Sequence, residues 1–458
     1  MKMDTIAAIA TGMSNAGISI IRMSGKEAFT VIDQIYKSKS GKKILSMEGS
    51  HTLHYGFIMD EGQIIDEVMV AIMRAPSTYT KEDIVEIDCH GGIVVTKRLL
   101  ETVLKHGARL AEPGEFTKRA FLNGRIDLSR AEAVSDLIQA KNETAMKNSI
   151  NQLRGNVYEL IVKLRGMILR DLANIEAALD DPEHISLEGF GQELSDHLDK
   201  ECEEIEKLIR ESNNGKLMME GIKTVIVGKP NTGKSSLLNN LVGEDRAIVT
   251  DIAGTTRDTL EETIQLNGIT LNIIDTAGIR ETKDIIEKMG VDKAKRVVSD
   301  ADLIIFVIDS STKLDENDEA ILKLIQNKKA IVLLNKSDLE PKVTIKEVEE
   351  ITDQPVISIS VKENSGMKEF EQIIKDLFFN GEISFHDEIY ITKERHREAF
   401  LSTLESLKLV KNSIQNGMPE DFYSIDLMGA YEYLGKIIGE QVEEDLVNMI
   451  FKEFCMGK

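Results

Sequence analysis

One stretch of eight residues, Gly228-Lys-Pro-Asn-Thr-Gly-Lys-Ser235, constrains the fold more than any other part of the chain. It follows the apolar run Thr224 to Val227 and opens a helical stretch, Ser236 to Leu241. A strand, a glycine loop and a helix in that order form a phosphate cradle. The two glycines let backbone N–H groups face an anion, Lys234 reaches β and γ oxygens, and the Ser235 hydroxyl suits Mg²⁺. The helix N-terminus adds its own positive end. Residues Asn231, Thr232, Gly233, Lys234, Ser235 and Ser236 are therefore the expected phosphate contacts.

The segments downstream select the nucleotide. Gly254-Thr255-Thr256-Arg257-Asp258 supplies a hydroxyl, that of Thr256, to complete the Mg²⁺ shell when a γ-phosphate is present, as a first switch. The run Leu271 to Ile274 reads as a buried strand ending in Asp275-Thr276-Ala277-Gly278, a second switch whose glycine N–H senses the γ-phosphate. After a further strand, Ala330 to Leu334, comes Asn335-Lys336-Ser337-Asp338. Its aspartate accepts guanine N1–H and N2–H₂ together, a pair that adenine lacks. Ser360, Val361 and Lys362, after the run Val356 to Ile359, are the expected last base-contacting loop. Four motifs in this order, each at a strand end, predict a Ras-like P-loop G domain that binds GTP and hydrolyses it.

That block runs from about Gly221 to Gly381 and leaves long flanks on both sides. Before it, Leu153, Val157, Leu160, Leu164, Ile168, Leu172, Ile175 and Leu179 recur at steps of three and four, the pattern of a long amphipathic helix. After it, Phe400, Leu404 and Leu407, then Ile425, Met428 and Leu434 to Ile438, show the same spacing. Neither set of apolar stripes can be left in water, so the flanks are expected to form one discontinuous helical domain, 119–220 plus 382–458, with the G domain, 221–381, inserted in it. Residues 1–118 mix β-type runs, Ile18 to Ile21 and Val68 to Ile72, with a helical pattern from Gly92 to Leu104, and predict an α+β domain. The fold class is thus multidomain, α/β and all-α.

Composition narrows the function classes. A chain of 458 residues suits about three domains. No apolar run reaches the roughly 20 residues of a membrane span, and the start lacks a signal-peptide pattern, so a cytoplasmic location is expected. Three widely spaced cysteines, Cys89, Cys202 and Cys455, argue against a disulfide framework. A net charge of −22, from 56 basic and 78 acidic residues, argues against broad, non-specific attachment to nucleic acid. The acidic clusters Glu201 to Glu206 and Glu443 to Asp445 read as solvated helix faces.

Three blocks together match one family: the GTP motifs, the segment Gly114-Glu-Phe-Thr-Lys-Arg-Ala-Phe-Leu-Asn-Gly-Arg-Ile-Asp-Leu128, and the tail Phe454-Cys-Met-Gly-Lys458. Over essentially its whole length the chain resembles the MnmE (TrmE) family of tRNA-modifying GTPases. The resemblance implies a flavoprotein partner, MnmG, in a heterotetramer, with FAD and NADH on that partner. It implies addition of an aminomethyl or carboxymethylaminomethyl group to carbon 5 of the wobble uridine of certain tRNAs. It also implies an N-terminal domain that forms the homodimer and binds folate, 5-formyl- or 5,10-methylene-tetrahydrofolate.

Site residues follow from the same resemblance. K⁺ takes the place of an arginine finger, and Asn231, Thr250, Ile252 and Thr255 offer the oxygens a hard cation prefers. Ile279 stands where many small GTPases carry a water-orienting glutamine, and the matching catalytic residue is Glu287. Arg257 and Arg280 are read as switch-stabilising contacts. Folate matches Arg22, Glu86, Arg125 and Lys458, although Thr11 to Gly17 lacks the usual Pro and Gly-rich character, Arg125 replaces a frequent Lys and Met456 a common Ile. Among the three cysteines Cys455 is the best candidate for a functional thiol, with a buried structural thiol as the alternative, and Phe454 beside it suggests that the tail docks. Two other classes lack support: a ribosome-assembly GTPase would carry a second GTP module or an RNA-binding KH domain, and a membrane-remodelling one a basic or amphipathic lipid-facing segment.

Overall fold

A computed structural model describes residues 4–140, 142–181, 184, 189–242, 262–266, 269–274, 301–379, 391–452, 454 and 457. The chain forms two compact units: residues 1–139, 149–202 and 399–458 make one, and residues 140–148 and 203–398 the other.

The first unit holds a seven-stranded sheet in the order β3-β4-β5-β6-β2-β1-β7. Its strands are β1 (Ile6–Ile9), β2 (Ala16–Ser24), β3 (Tyr36–Ser38), β4 (Thr52–Asp60), β5 (Gln63–Met73), β6 (Ile84–Gly91) and β7 (Arg109–Leu110). Alternation along β1 sends Ala7 into a core with helices Ala28–Ile35 and Ile93–Lys105, and Ile6 and Ala8 into a second core with Ala111 and Phe116. The expected strands around Ile18 and Val68 lie in β2 and β5, and the helical pattern from Gly92 is the helix Ile93–Lys105.

The predicted long helix over 153–179 is instead two helices, Glu143–Arg154 and Asn156–Asp180. Gly155 breaks them, with a left-handed φ of 109° and a site where a Cβ would lie 1.9 Å from the Arg130 guanidinium. The buried stripe runs through Val157, Ile161, Leu164, Ile168, Leu172, Ile175 and Ala178, whereas Leu179 is exposed. Helix Glu394–Gln415 buries Phe400, Leu404 and Leu407 as expected. Helix Asp421–Ile438 turns differently: Tyr423, Leu427, Ala430 and Leu434 are buried, and Ile425 and Met428 face outward. Of the cluster 201–206, Glu201 is buried rather than solvated.

The second unit holds a six-stranded sheet in the order β13-β12-β11-β8-β10-β9. Its strands are β8 (Ile222–Val227), β9 (Glu262–Leu266), β10 (Ile269–Ile273), β11 (Leu303–Asp309), β12 (Ala330–Asn335) and β13 (Val356–Ser358). Every pairing is parallel except β9 with β10. β11 and β12 are buried throughout, because apolar cores cover both faces of a parallel sheet. Chain order departs in both directions from β8, the switch point where α/β sheets bind ligands beyond the strand ends.

Candidate nucleotide site and N-terminal pocket

The glycine loop leaves β8 at that switch point, and the helix Lys234–Val242 follows it. Gly228 has φ 146°, and a Cβ there would sit 2.3 Å from the Val307 carbonyl oxygen. Gly233 has φ 100°, and its Cβ would sit 2.2 Å from Asn335 Nδ2. Neither position admits a side chain without displacing β11 or the end of β12. Asn231 adopts φ 64°, a left-handed conformation that asparagine tolerates better than most residues. Lys234 Nζ donates to the carbonyls of Gly228 at 2.7 Å and Lys229 at 2.6 Å, so its ammonium curls back over the loop. Burial lowers its pKa to about 8.

Asn335 ties the loop to the base-recognition segments. Its Nδ2 donates to the Thr232 carbonyl at 2.8 Å, and its Oδ1 accepts from Val361 N at 3.3 Å. Asp338 Oδ1 accepts from the buried Ser360 hydroxyl at 2.8 Å, and Lys362 Nζ lies 3.9 Å from its other oxygen. Lys336, at φ 65°, pairs with Asp309 at 2.5 Å. Phosphate loop, Asn335, Asp338 and the segment from Ser360 to Lys362 thus form one hydrogen-bonded set at the C-terminal strand edge.

In the first unit, Arg22 of β2 and Glu86 of β6 are cross-strand partners, and Arg22 Nε donates to Glu86 Oε1 at 2.6 Å. Arg22 Nη1 donates to the Gly457 carbonyl at 3.2 Å. The guanidinium of Arg125 lies 4.6 Å from the Tyr79 ring centroid, and that of Arg22 lies 5.8 Å from Phe116 and 6.0 Å from Tyr79. Position 457 is seated on β1: a Cβ on Gly457 would lie 2.4 Å from the Ile9 carbonyl oxygen. Phe454 is buried with Phe451, Leu128 and Ala131, so this part of the tail docks.

Residues 128–455 match the family profile described as MnmE helical domain, and residues 5–125 match that described as GTP-binding protein TrmE N-terminus. The tRNA modification GTPase MnmE of Lachnoclostridium phytofermentans is 62% identical over 458 residues, covering 100% of both chains. The chain belongs to the MnmE family. The MnmE of Bacillus subtilis is 46% identical over 460 residues, again covering 100% of both.

Several expected MnmE site residues lie outside the described residues: Thr250, Ile252, Thr255, Thr256, Asp275, Thr276, Ala277, Gly278, Glu287, Cys455 and Lys458, with Arg257, Ile279 and Arg280. Those described fall into the two groups above, with Asn231 to Ser236 in one and Arg22, Glu86 and Arg125 in the other. Cys89 and Cys202 are buried and take part in no disulfide. Among the described residues no three His, Cys, Asp or Glu side chains form a metal cluster, and no helix is long and apolar enough to cross a membrane.

One contact of the phosphate loop is not signalled by the spacing of its motifs. Lys229, inside the phosphate loop, pairs with Asp315 at 2.9 Å and the buried Asp318 at 2.6 Å. Both carboxylates belong to a capping box at the start of helix Glu316–Ile325, and the signature Asp315-x-x-Asp318 could have flagged them.

Proposed function

We propose that this chain is a K⁺-stimulated GTP hydrolase that, with the flavoprotein MnmG, modifies carbon 5 of the wobble uridine of certain tRNAs using a folate one-carbon unit. The observation that carries the reading is the hydrogen-bonded set joining a phosphate loop, which Gly228 and Gly233 keep free of Cβ atoms where it is most crowded, to Asn335, Asp338 and Ser360. It offers amides and a buried lysine for phosphates at one end and a positioned carboxylate for guanine at the other. Phosphate binding would supply the anion that Lys234 lacks, and its ammonium would exchange loop carbonyls for phosphate oxygens.

Ser235 and Thr256 would hold Mg²⁺, and Asn231, Thr250, Ile252 and Thr255 would hold K⁺. These hard oxygen donors suit both ions, and the left-handed turn at Asn231 favours its short polar side chain at that point of the loop. When bound, the two cations neutralise charge developing between the β and γ phosphates. Asp275 to Gly278 would sense the γ-phosphate, and Glu287 would orient the attacking water.

In the first unit, Glu86 would accept from the pterin edge of folate, and Arg22 and Arg125, beside the Tyr79 ring, would supply cationic contacts to the same ligand. Lys458 would add a cation beside the docked Gly457. Cys455 would act in the modification chemistry. The chain would work in the cytoplasm as a homodimer within a heterotetramer with MnmG, which would provide much of the tRNA contact that this acidic chain does not.

Reconstitution tests the proposal. Purified chain, MnmG with FAD and NADH, tRNA, a tetrahydrofolate one-carbon donor, an amine donor (ammonium or glycine) and GTP should yield modified uridine in KCl, and turnover should fall sharply in NaCl. Equal turnover in the two salts would remove the K⁺ role, and no modified nucleoside under any condition would remove the tRNA role.

A further inference from the structure

The β9–β10 hairpin carries a polar ladder on the face away from its core. Ile264, Leu266, Ile269, Leu271 and Ile273 pack into the sheet's apolar cluster, so alternation places Thr263, Gln265, Thr270 and Asn272 on the opposite face. The register pairs Thr270 with Gln265 and Asn272 with Thr263. Side chains join both pairs: Gln265 Nε2 donates to Thr270 Oγ1 at 3.0 Å, and Thr263 Oγ1 donates to Asn272 Oδ1 at 3.2 Å.

Two segments remote in sequence close on this ladder, and all the residues involved belong to one compact unit. Asn142 Nδ2 donates to Thr270 Oγ1 at 2.6 Å, and Asn272 Nδ2 donates to the Glu220 carbonyl at 2.7 Å. Glu220 ends the helix Phe190–Glu220. Asn142 precedes the helix Glu143–Arg154, and its Oδ1 accepts from Ala145 N at 2.7 Å, in the manner of an N-cap. One amide therefore forks, with its oxygen starting a helix and its nitrogen holding the hairpin. Thr270 is 2% exposed, and a Cβ on the neighbouring Gly221 would lie 2.8 Å from Asn272 Nδ2, so the chain passes tightly over the ladder.

In sequence the hairpin joins the two segments read as switches, 254–258 before β9 and 275–278 after β10. β10 also pairs with β8, the strand that feeds the phosphate loop. A buried hydroxyl shared by two side-chain amides is costly to leave unpaired, so the hairpin, the start of the helix after Asn142 and the end of the helix at Glu220 are held as one element.

We propose that Asn142, Thr270 and Asn272 are positioning residues that couple the switch hairpin to the helices beginning after Asn142 and ending at Glu220, so that GTP turnover drives the modification step. The inference rests on the function proposed above, and the experiment separates the two. Asn142→Ser keeps a capping oxygen and removes the amide donor, while Thr270→Val keeps shape and removes the hydroxyl. Each is assayed as the full chain with MnmG and tRNA, reading kcat and KM for GTP and modified uridine formed per GTP hydrolysed.

Hydrolysis should stay within about twofold of wild type. Modification per GTP should fall at least about fivefold in each variant, the low end of measured site-to-site coupling. The double variant should fall no further than Thr270→Val alone, because both substitutions remove the same Asn142–Thr270 bond. Thr270→Ser should restore the wild-type ratio. An unchanged ratio in both single variants, or hydrolysis and modification falling in step with a lowered Tm, would overturn the coupling role. A wild-type protein that hydrolyses no GTP would instead overturn the functional proposal, and the coupling with it.

Discussion

The phosphate loop offers backbone from eight consecutive residues, whereas the Arg22 cluster is assembled from side chains on β2 and β6, from Tyr79, Phe116 and Arg125, and from the carbonyl of Gly457. The first depends on the absence of atoms, since a Cβ at Gly228 or Gly233 would collide with β11 or Asn335. The second depends on an ion pair between Arg22 and Glu86 and on a hydrogen bond from Arg22 to a backbone carbonyl more than 400 positions away. A backbone site fails abruptly when sterics are violated, and a side-chain site fails by degrees as individual charge-assisted bonds are removed.

The sharpest break between the two is expected at Lys234. Lys234→Ala should lower kcat/KM for GTP by about 10²-fold or more, the scale of losing one preorganised donor to transition-state charge. Its folate affinity and circular dichroism should match wild type, and loss of folate binding as well would contradict the prediction. Gly228→Ala should abolish nucleotide binding outright, measured by fluorescent-nucleotide titration.

Next in size is Asp338→Asn. Removing a charged acceptor should weaken GTP about ten- to hundredfold, with the corresponding loss of discrimination against ATP in competition titrations. Arg22→Ala should weaken tetrahydrofolate about tenfold and leave GTP turnover unchanged. Arg22→Lys should not rescue it, because one ammonium lacks the planar fork that serves Glu86 and the Gly457 carbonyl together. Equal folate affinity in Arg22→Lys and wild type would refute the forked contact.

The smallest effect is a proton. Burial depresses Lys234 from the ordinary 10.5 to about 8 in the nucleotide-free fold. Between those values the unfolded chain binds more protons than the folded one, so stability without nucleotide should rise with pH across pH 8 to 10.5 and lose that contribution below 8. A triphosphate restores the charge, so GTP binding near pH 9 should take up as much as about one proton. Calorimetry in buffers of differing ionisation enthalpy reads this directly, and buffer-independent heats would contradict it.

Legibility follows the same division. Lys234, Asn335, Asp338 and their strands could be read because phosphate and base chemistry require fixed residue types at fixed spacing on consecutive residues. Periodicity likewise located the apolar faces of Asn156–Asp180 and Glu394–Gln415. It could not place the break at Gly155, which depends on the Arg130 guanidinium, nor show that Ile425 and Met428 face outward, because helix phase is set by tertiary partners. Arg22 with Glu86 was reached only through resemblance, since strand register and not spacing brings them together. Lys229 with Asp318 was missed because the partner lies across the fold, although its capping box left a local trace.

The most direct test of the central claim is nucleoside mass spectrometry of bulk tRNA from cells lacking this chain, complemented with wild type or with Lys234→Ala. Deletion should remove 5-aminomethyl-type uridines, wild type should restore them and Lys234→Ala should not. An unchanged nucleoside profile on deletion would contradict that claim.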